Sequence, residues 1–198
     1  SLFLDHFFFN FKKINIIKPL FIIGFPRSGT TLLHKTISKD SQFVAPALWE
    51  ILFAPSIIQK KIFFPIKRNF GKYIKNVQIP FLNKIIARFD DIHKIRFSNP
   101  EEDYLFFLPY GGCFLLIIIM PIDDIWKLID FDNNFPKKIQ DRLMYKYKSN
   151  IQRILYFHGY DKKYLSKNPY FTSFYHTLKH NFPDANFVGC HRNPEESI

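Results

Sequence analysis

A glycine-bounded loop at residues 24–31 contains the residue types and spacing best suited to chemistry. It reads Gly-Phe-Pro-Arg-Ser-Gly-Thr-Thr and has the G-x-x-x-x-G spacing of a phosphate-binding loop. Glycines let backbone N–H groups turn toward an anion, and the start of a following helix adds partial positive charge. The loop therefore predicts an anion-binding site.

This loop lacks the lysine that ordinary nucleoside triphosphatases place after the second glycine. Thr30 stands at that position, and the cationic side chain lies inside the loop at Arg27. In addition, no aspartate at the end of an apolar run is an obvious candidate for the residue with which such enzymes bind Mg²⁺. Both departures argue against magnesium-dependent triphosphate chemistry.

Apolar runs and helical periodicities around the loop predict an α/β fold. A strand over residues 20–23 precedes the loop, and a helix over residues 31–39 follows it. Further strands are predicted at residues 164–166 and 186–190, with a helix over residues 171–182 between them. Because a strand-helix-strand unit of this length makes a right-handed crossover, we expect parallel strands with ligands at their carboxyl ends.

Two other segments are predicted to be helical. Residues 57–95 alternate apolar and basic groups and contain Pro65, Gly71 and Pro80, so we expect broken helices there with a solvated basic face. Residues 136–157 have an apolar stripe at helical spacing, which predicts a core helix.

Length and composition predict a single domain over residues 1–198. The 28 Lys and Arg against 17 Asp and Glu leave a net charge of +11, which we interpret as compositional bias rather than a nucleic-acid surface. The longest apolar stretch, residues 113–122, is shorter than the ~20 residues of a membrane helix, so no transmembrane segment is expected. Two widely spaced cysteines match no zinc or disulfide pattern.

The segment from Pro26 to Thr31 resembles the 5′-phosphosulfate-binding loop of sulfotransferases, written Pro-Arg/Lys-Ser-Gly-Thr-Thr. Other segments follow in the order of that family's motifs. They are Pro46-Ala47-Leu48-Trp49-Glu50, His93 with Asn99-Pro100-Glu101-Glu102-Asp103, Lys167-Asn168-Pro169, the Phe-Pro-Asp-Ala strand at 182–188, and His191-Arg192-Asn193-Pro194. The chain resembles the bacterial-type branch and is similar also to tyrosylprotein sulfotransferases.

This resemblance implies an enzyme that moves a sulfuryl group from 3′-phosphoadenosine-5′-phosphosulfate (PAPS) to a hydroxyl or amine, without a metal. It implies a P-loop NTPase-like three-layer fold with a central parallel sheet flanked by helices. Arg27 would stabilise the transferring group, and Lys167 would help the leaving phosphate depart. The implied donor-binding residues are Pro26, Arg27, Ser28, Gly29, Thr30, Thr31 and Arg192, the last on the 3′-phosphate.

The acceptor must lose a proton, so the resemblance also implies a general base. Glu50 and His93 are alternatives for that role. The structural alternative for Glu50 is a carboxylate at a helix start, and for His93 a histidine satisfied between helices. Glu101 and Glu102 are interpreted as structural, pairing with Arg or Lys near the site.

The family's 3′-phosphate site includes a serine a helical stretch after the arginine, and Ile198 precedes that position. We therefore expect an incomplete domain whose C-terminal elements are missing and whose activity is doubtful. A P-loop nucleotide kinase and a non-catalytic nucleotide-binding remnant stay open as alternatives. The expected acceptor is a small molecule, glycan or peptide, and the expected compartment is the cytoplasm, or the Golgi lumen if an upstream anchor has been lost.

Overall fold

The computed structural model describes residues 1–74, 99–119 and 122–193. Its strands are β1 Leu20–Gly24, β2 Phe43–Val44, β3 Lys163–Lys167 and β4 Asn186–Cys190. Its α-helices are α1 Asp5–Phe8, α2 Thr30–Ile37, α3 Leu48–Leu52, α4 Ile57–Ile74, α5 Leu116–Ile119, α6 Asp123–Trp126, α7 Phe131–Asn134, α8 Lys137–His158 and α9 Tyr175–Asn181. Segments of 3₁₀ helix cover Phe11–Lys13, Asp103–Tyr110, Lys127–Asp130 and Pro169–Phe174.

The described strands form a four-stranded parallel sheet in the order β2-β3-β1-β4. On one side of β1, Ile22 is opposite Lys167 of β3. On its other side, Gly24 is opposite Cys190 of β4. The carboxyl ends of β1, β3 and β4 therefore meet at one edge, and the predicted parallel arrangement is confirmed.

The central strand β1 is buried on both faces. Phe21 and Ile22 are fully buried although they point to opposite faces of the sheet. A short continuous apolar run is typical of a strand covered by helices on both sides. The predicted strand over residues 20–23 is thus confirmed and extends to Gly24.

Helix α8 packs its apolar stripe against the core. It begins after Pro136, as expected of a proline at a helix start, and continues to His158. Its most deeply buried side chains include Met144, Tyr147 and Ile151. The helix predicted over residues 136–157 is confirmed to within one residue at each end.

Aromatic rings connect α8 and the 3₁₀ segments to the sheet. Phe21 of β1 lies 5.3 Å from Phe187 of β4 and 6.2 Å from Phe171, between ring centroids. Phe171 in turn lies 5.5 Å from Tyr147 of α8. Fully burying one such side chain contributes about 1.5–3 kcal/mol, and Phe21, Phe171 and Tyr147 are fully buried, so this cluster helps to hold the strands that end at the loop.

The expectation of broken helices is wrong for residues 57–74. Helix α4 is continuous there and contains Pro65 in its interior. Proline removes one backbone hydrogen bond, but residues 61–65 are exposed, so the released carbonyl of Lys61 faces water. The remainder of the predicted segment, residues 75–95, lies outside the described residues.

The helix predicted over residues 171–182 is divided in two. Its first part is the 3₁₀ segment Pro169–Phe174, and only Tyr175–Asn181 is α-helical. Asn168 precedes Pro169 and accepts a hydrogen bond from the Tyr170 N–H at 2.9 Å, which is a capping interaction. The prediction of a helical connection between β3 and β4 is confirmed, whereas its uniform α-helical form is wrong.

Candidate active site

The loop that follows β1 passes directly against β4. Gly24 has φ of +140°, and a Cβ atom at this position would overlap the backbone carbonyl of Cys190. The Gly24 N–H also donates to Thr172 Oγ1 at 3.3 Å. A glycine is required here because both the backbone angle and the space exclude a side chain.

Two further loop residues adopt left-handed backbone conformations. Arg27 has φ of +66°, and Gly29 has φ of +91°. Left-handed residues within a short loop turn successive N–H groups into a concave anion-binding surface. A Cβ at Gly29 would have no atom within 4 Å, so the space above this glycine is open.

The loop leads into helix α2 through Gly29. The Gly29 carbonyl accepts from the N–H groups of Leu32 and Leu33, while the preceding N–H groups at the helix start have no intrahelical acceptor. Ser28 Oγ donates to the Phe25 carbonyl at 2.6 Å and holds the loop in shape. The geometry suits a bound phosphate or sulfate at the start of α2.

Lys167 is the last residue of β3 and lies beside the loop's parent strand. Its side chain is buried and pairs with the Glu102 carboxylate. The following Asn168 N–H donates to the Ile22 carbonyl at 3.0 Å, two residues before Gly24. The structure therefore brings Lys167 and the loop to the same edge of the sheet, as the predicted strand ends require.

Arg192 lies two residues after the end of β4. Because Cys190 is opposite Gly24, this arginine follows the strand that flanks the loop. Arg192 is exposed. The rest of the Arg-Asn-Pro motif, beginning at Pro194, lies outside the described residues.

Glu50 lies in helix α3 and not in the loop. It is buried, with Oε2 accepting from the Ala47 N–H at 3.0 Å and Oε1 2.7 Å from Nε2 of His158. Burial acts to raise its pKa, but the His158 contact, the charge of Lys60 and the Ala47 hydrogen bond outweigh it and leave the pKa lowered. One carboxylate oxygen thus caps the start of α3, and the other contacts the last residue of α8. His93, the alternative base, lies outside the described residues.

The structure also brings together residues to which the sequence assigned no catalytic or binding role. Glu101 and Glu102 follow the isolated bridge between Ala47 and Pro100. Burial raises the pKa of Glu101, against the opposing charge of Lys167. His34 of α2 is buried near the same lysine, and desolvation together with the charges of Lys167 and Lys35 lowers its pKa to about 3. His34 is therefore neutral at physiological pH.

The sequence predicts that Glu102 pairs with a Lys or Arg near the site. In the structure its carboxylate pairs with Lys167. Nothing in the local pattern around His34 indicates that a residue one helical turn after Thr30 is buried against β3. That placement depends on the packing of α2 on the sheet.

Comparisons with known proteins agree with this geometry. Residues 19–107, slightly less than half of the chain, match the model of the sulfotransferase family. This segment contains the loop, Glu50 and the Glu101-Glu102 pair. The resemblance to sulfotransferases is confirmed.

Two solved structures have the same fold as this sulfotransferase-like chain. The sulfotransferase STF9 from Mycobacterium avium aligns with a TM-score of 0.63 and 17% identity, covering 94% of this chain and 46% of that one. The sulfotransferase STF1 from Mycobacterium tuberculosis H37Rv aligns with a TM-score of 0.57 and 19% identity, covering 94% and 48%. The chain thus spans about half the length of these structures. No curated protein matches it.

Within residues 1–74, 99–119 and 122–193, no three His, Cys, Asp or Glu side chains are arranged to hold a metal ion. In the same ranges no helix combines the length and hydropathy that a membrane crossing needs. The expected compartment and acceptor stay predictions.

Proposed function

We propose that this chain carries the donor-binding part of a sulfotransferase that moves a sulfuryl group from PAPS to a hydroxyl or amine acceptor. The observation that supports this most directly is the shape and sequence of the loop at residues 24–31. It has the backbone of an anion site, a cation inside it at Arg27, and threonine where a triphosphatase has lysine. We propose further that residues 1–198 form one domain.

The residues at the sheet edge fit a phosphosulfate. The open space above Gly29 and the N–H groups at the start of α2 suit its oxygens. PAPS supplies an activated sulfuryl group bound to a phosphate that leaves. In the proposal Pro26 shapes the loop, Ser28, Thr30 and Thr31 hold the 5′ end, and Arg192 pairs with the 3′-phosphate.

Two cations have distinct proposed roles. Arg27 is exposed on the loop and contacts the transferring group, where it stabilises developing negative charge. Lys167 is buried, pairs with Glu102 and ends the strand next to β1. It is proposed to stabilise the leaving phosphate.

Glu50 and His93 are the two candidates for the general base. Glu50 has both oxygens bonded to protein groups, so it is the weaker candidate for contact with an acceptor. His93 stays a prediction.

An assay of donor preference tests the proposed function. The full chain is incubated with PAPS and, separately, with Mg²⁺-ATP, each with a phenol, a sugar or a tyrosine peptide, and mass spectrometry follows the nucleotide products. We expect adenosine 3′,5′-bisphosphate from PAPS and no ADP. Lys167→Met is expected to lower kcat by roughly 10²–10³-fold, as for loss of one charge-stabilising donor.

The two open alternatives predict other products. Conversion of ATP to ADP with PAPS intact would establish the kinase instead. A folded chain that binds nucleotide but consumes neither donor would be the non-catalytic remnant.

A further inference from the structure

Helix α1 buries its carboxylate and exposes its aromatic rings. The buried residue of this one-turn helix is Asp5. Phe3, Phe7 and Phe8, by contrast, have exposed fractions of 71%, 70% and 68%. The rings of Phe3 and Phe7 meet edge to face, with 5.0 Å between their centroids. Large aromatic side chains are mostly buried in folded proteins, so a cluster of them in water indicates an interaction surface.

Asp5 holds α1 in this orientation. Its carboxylate accepts from the N–H groups of Ile57 and Ile58 at 3.0 and 3.3 Å and from Nε of Arg153 at 2.8 Å. Nη2 of Arg153 also donates to the Leu2 carbonyl at 3.1 Å. Turning the helix to bury its rings would break these bonds, and a buried carboxylate without partners is costly. The exposed rings thus belong to an anchored segment.

The first turns of α4 add apolar side chains to this surface. Ile62, Phe63 and Phe64 have exposed fractions of 54%, 43% and 46%. Nζ of Lys61 lies 4.6 Å from the centroid of the Phe9 ring, so this part of α4 is adjacent to the end of α1. The six exposed apolar side chains of the two helices are called the aromatic face, and they are Phe3, Phe7, Phe8, Ile62, Phe63 and Phe64.

Positive charge is concentrated in the part of the chain that carries the aromatic face. Residues 1–74 contain 11 Lys and Arg against three Asp and Glu, which is a net charge of +8, whereas residues 99–193 contain 12 against 10. Two of the three carboxylates, those of Asp5 and Glu50, are buried and bonded to protein groups. The surface around the aromatic face is therefore cationic.

This combination fits an anionic bilayer better than a second copy of the chain. Exposed lysines accompany the rings, Lys13 in the 3₁₀ segment after α1 and Lys61 on α4. Two copies joined by this face would bring two regions of like charge together, which costs energy. A lipid surface has the complementary properties, because aromatic rings bury at the headgroup boundary while lysines are attracted to anionic headgroups.

We propose that the aromatic face docks this chain onto the surface of an anionic lipid bilayer. The rings of Phe3, Phe7 and Phe8 enter the boundary between headgroups and acyl chains, and Lys13 and Lys61 lie against the anionic headgroups. The chain lies on the bilayer in this arrangement. The inference goes beyond the proposed sulfotransfer and does not depend on it.

Cosedimentation of the full chain with lipid vesicles tests the docking. One set of vesicles consists of phosphatidylcholine, and the other contains phosphatidylcholine and phosphatidylglycerol at about 2:1. The wild-type chain should bind the vesicles with phosphatidylglycerol at least about tenfold more tightly than the others. This preference should shrink when NaCl is raised from about 0.1 M to about 0.5 M. No binding to the anionic vesicles would overturn the proposal.

The double variant Phe7→Ser with Phe8→Ser removes two rings and leaves the charge unchanged. Its affinity for the anionic vesicles should fall at least about tenfold. The matched control is Ile129→Ser with Tyr160→Ser, which removes side chains that are 55% and 77% exposed elsewhere and should change the affinity less than about twofold. Circular dichroism checks that both variants are folded. Wild-type affinity in the Phe7→Ser, Phe8→Ser variant would show that charge alone binds the chain and would overturn the aromatic face.

Reversal of one charge tests the lysines beside the rings. Lys13→Glu should weaken binding to the anionic vesicles about fivefold or more. Lys138→Glu, at an exposed position on α8, is its control and should have less than about half of that effect. Equal effects of the two would indicate general attraction of a cationic protein and would contradict a defined docking face.

Sedimentation velocity without lipid tests the second-copy alternative. The proposal predicts that the wild-type chain and the Phe7→Ser, Phe8→Ser variant have the same oligomeric state. A wild-type dimer that this variant converts to monomer, together with no binding to anionic vesicles, would assign the aromatic face to self-association instead.

Discussion

Arg27 combines a strained backbone with the side chain that the proposed chemistry needs. Its φ of +66° lies in the left-handed region, which costs a non-glycine residue about 1–2 kcal/mol. Glycine would adopt this conformation freely. An arginine kept in such a position suggests that its guanidinium is used, because strain of this kind concentrates at functional sites.

Two substitutions at this position separate stability from binding. Arg27→Gly relieves the backbone strain of the folded state, but glycine also raises the conformational entropy of the unfolded chain. Because these effects oppose each other, the free energy of unfolding should change by less than about 1 kcal/mol. Arg27→Ala keeps the strain and serves as its control. Both should lose at least tenfold in affinity for adenosine 3′,5′-bisphosphate by calorimetry. Retained affinity in either variant would remove Arg27 from the site.

The two loop glycines give a matched pair for the shape of the site. Gly29→Ala meets open space and should cost about 1–2 kcal/mol, from its φ of +91° alone. Gly24→Ala adds an overlap with the Cys190 carbonyl and should cost clearly more, by urea denaturation. Equal costs would contradict the close approach of the loop to β4.

At the scale of single residues, the sequence predicted the loop but not its surroundings. The motif specifies backbone geometry through Gly24 and Gly29, so a local pattern is sufficient to find it. The engagement of Glu50 by His158 could not be predicted, because it depends on the packing of α3 against the end of α8.

Among the elements, the start of helix α4 is held by a residue far away in sequence. Asp5 is buried and accepts from the N–H groups of Ile57 and Ile58 at 3.0 and 3.3 Å. It also accepts from Nε of Arg153 on α8 at 2.8 Å. The carboxylate thus joins the N-terminal segment, α4 and α8.

Removing one partner of this buried pair should be costly. Asp5→Ala leaves Arg153 buried without its counter-charge, so we expect a loss of about 3–5 kcal/mol in the free energy of unfolding. The double variant Asp5→Ala with Arg153→Met should lose less than the sum of the single variants. Additive losses in chemical denaturation would show that the two side chains are not coupled.

The sequence predicted those strands and helices whose hydrophobic residues follow a regular pattern. Such a pattern is present in the strands β1, β3 and β4 and in helix α8. Strand β2 is only two residues long and pairs with β3, so no local period reveals it. Helix α4 continues through Pro65 because its exposed face tolerates the lost hydrogen bond.

At the scale of the whole molecule, a buried carboxyl connects three parts of the fold. Asp103 accepts from the hydroxyls of Tyr147 on α8 and of Tyr164 and Ser166 on β3. Complete burial raises its pKa to about 6, although these three hydroxyls oppose the rise. It immediately follows Glu101 and Glu102, so it fixes the segment that carries them.

The raised pKa of Asp103 predicts a pH dependence of stability. Between pH 3.8, its ordinary value, and about pH 6, the folded state holds a proton that the unfolded state has lost. Stability should therefore fall as pH rises through this window, by up to about 3 kcal/mol relative to Asp103→Asn. Urea denaturation of both proteins at pH 4, 5, 6 and 7 measures this difference. A difference that stays flat would contradict the raised pKa.

Calorimetric titration with adenosine 3′,5′-bisphosphate, with ATP as the control ligand, tests the central claim most directly. It is carried out on the wild-type chain and on Arg27→Ala, both shown to be folded by circular dichroism. The sulfotransferase account predicts that the bisphosphate binds the wild-type chain in preference to ATP and that Arg27→Ala abolishes this binding. Equal binding of ATP, or no binding of the bisphosphate to the folded wild-type chain, would contradict it.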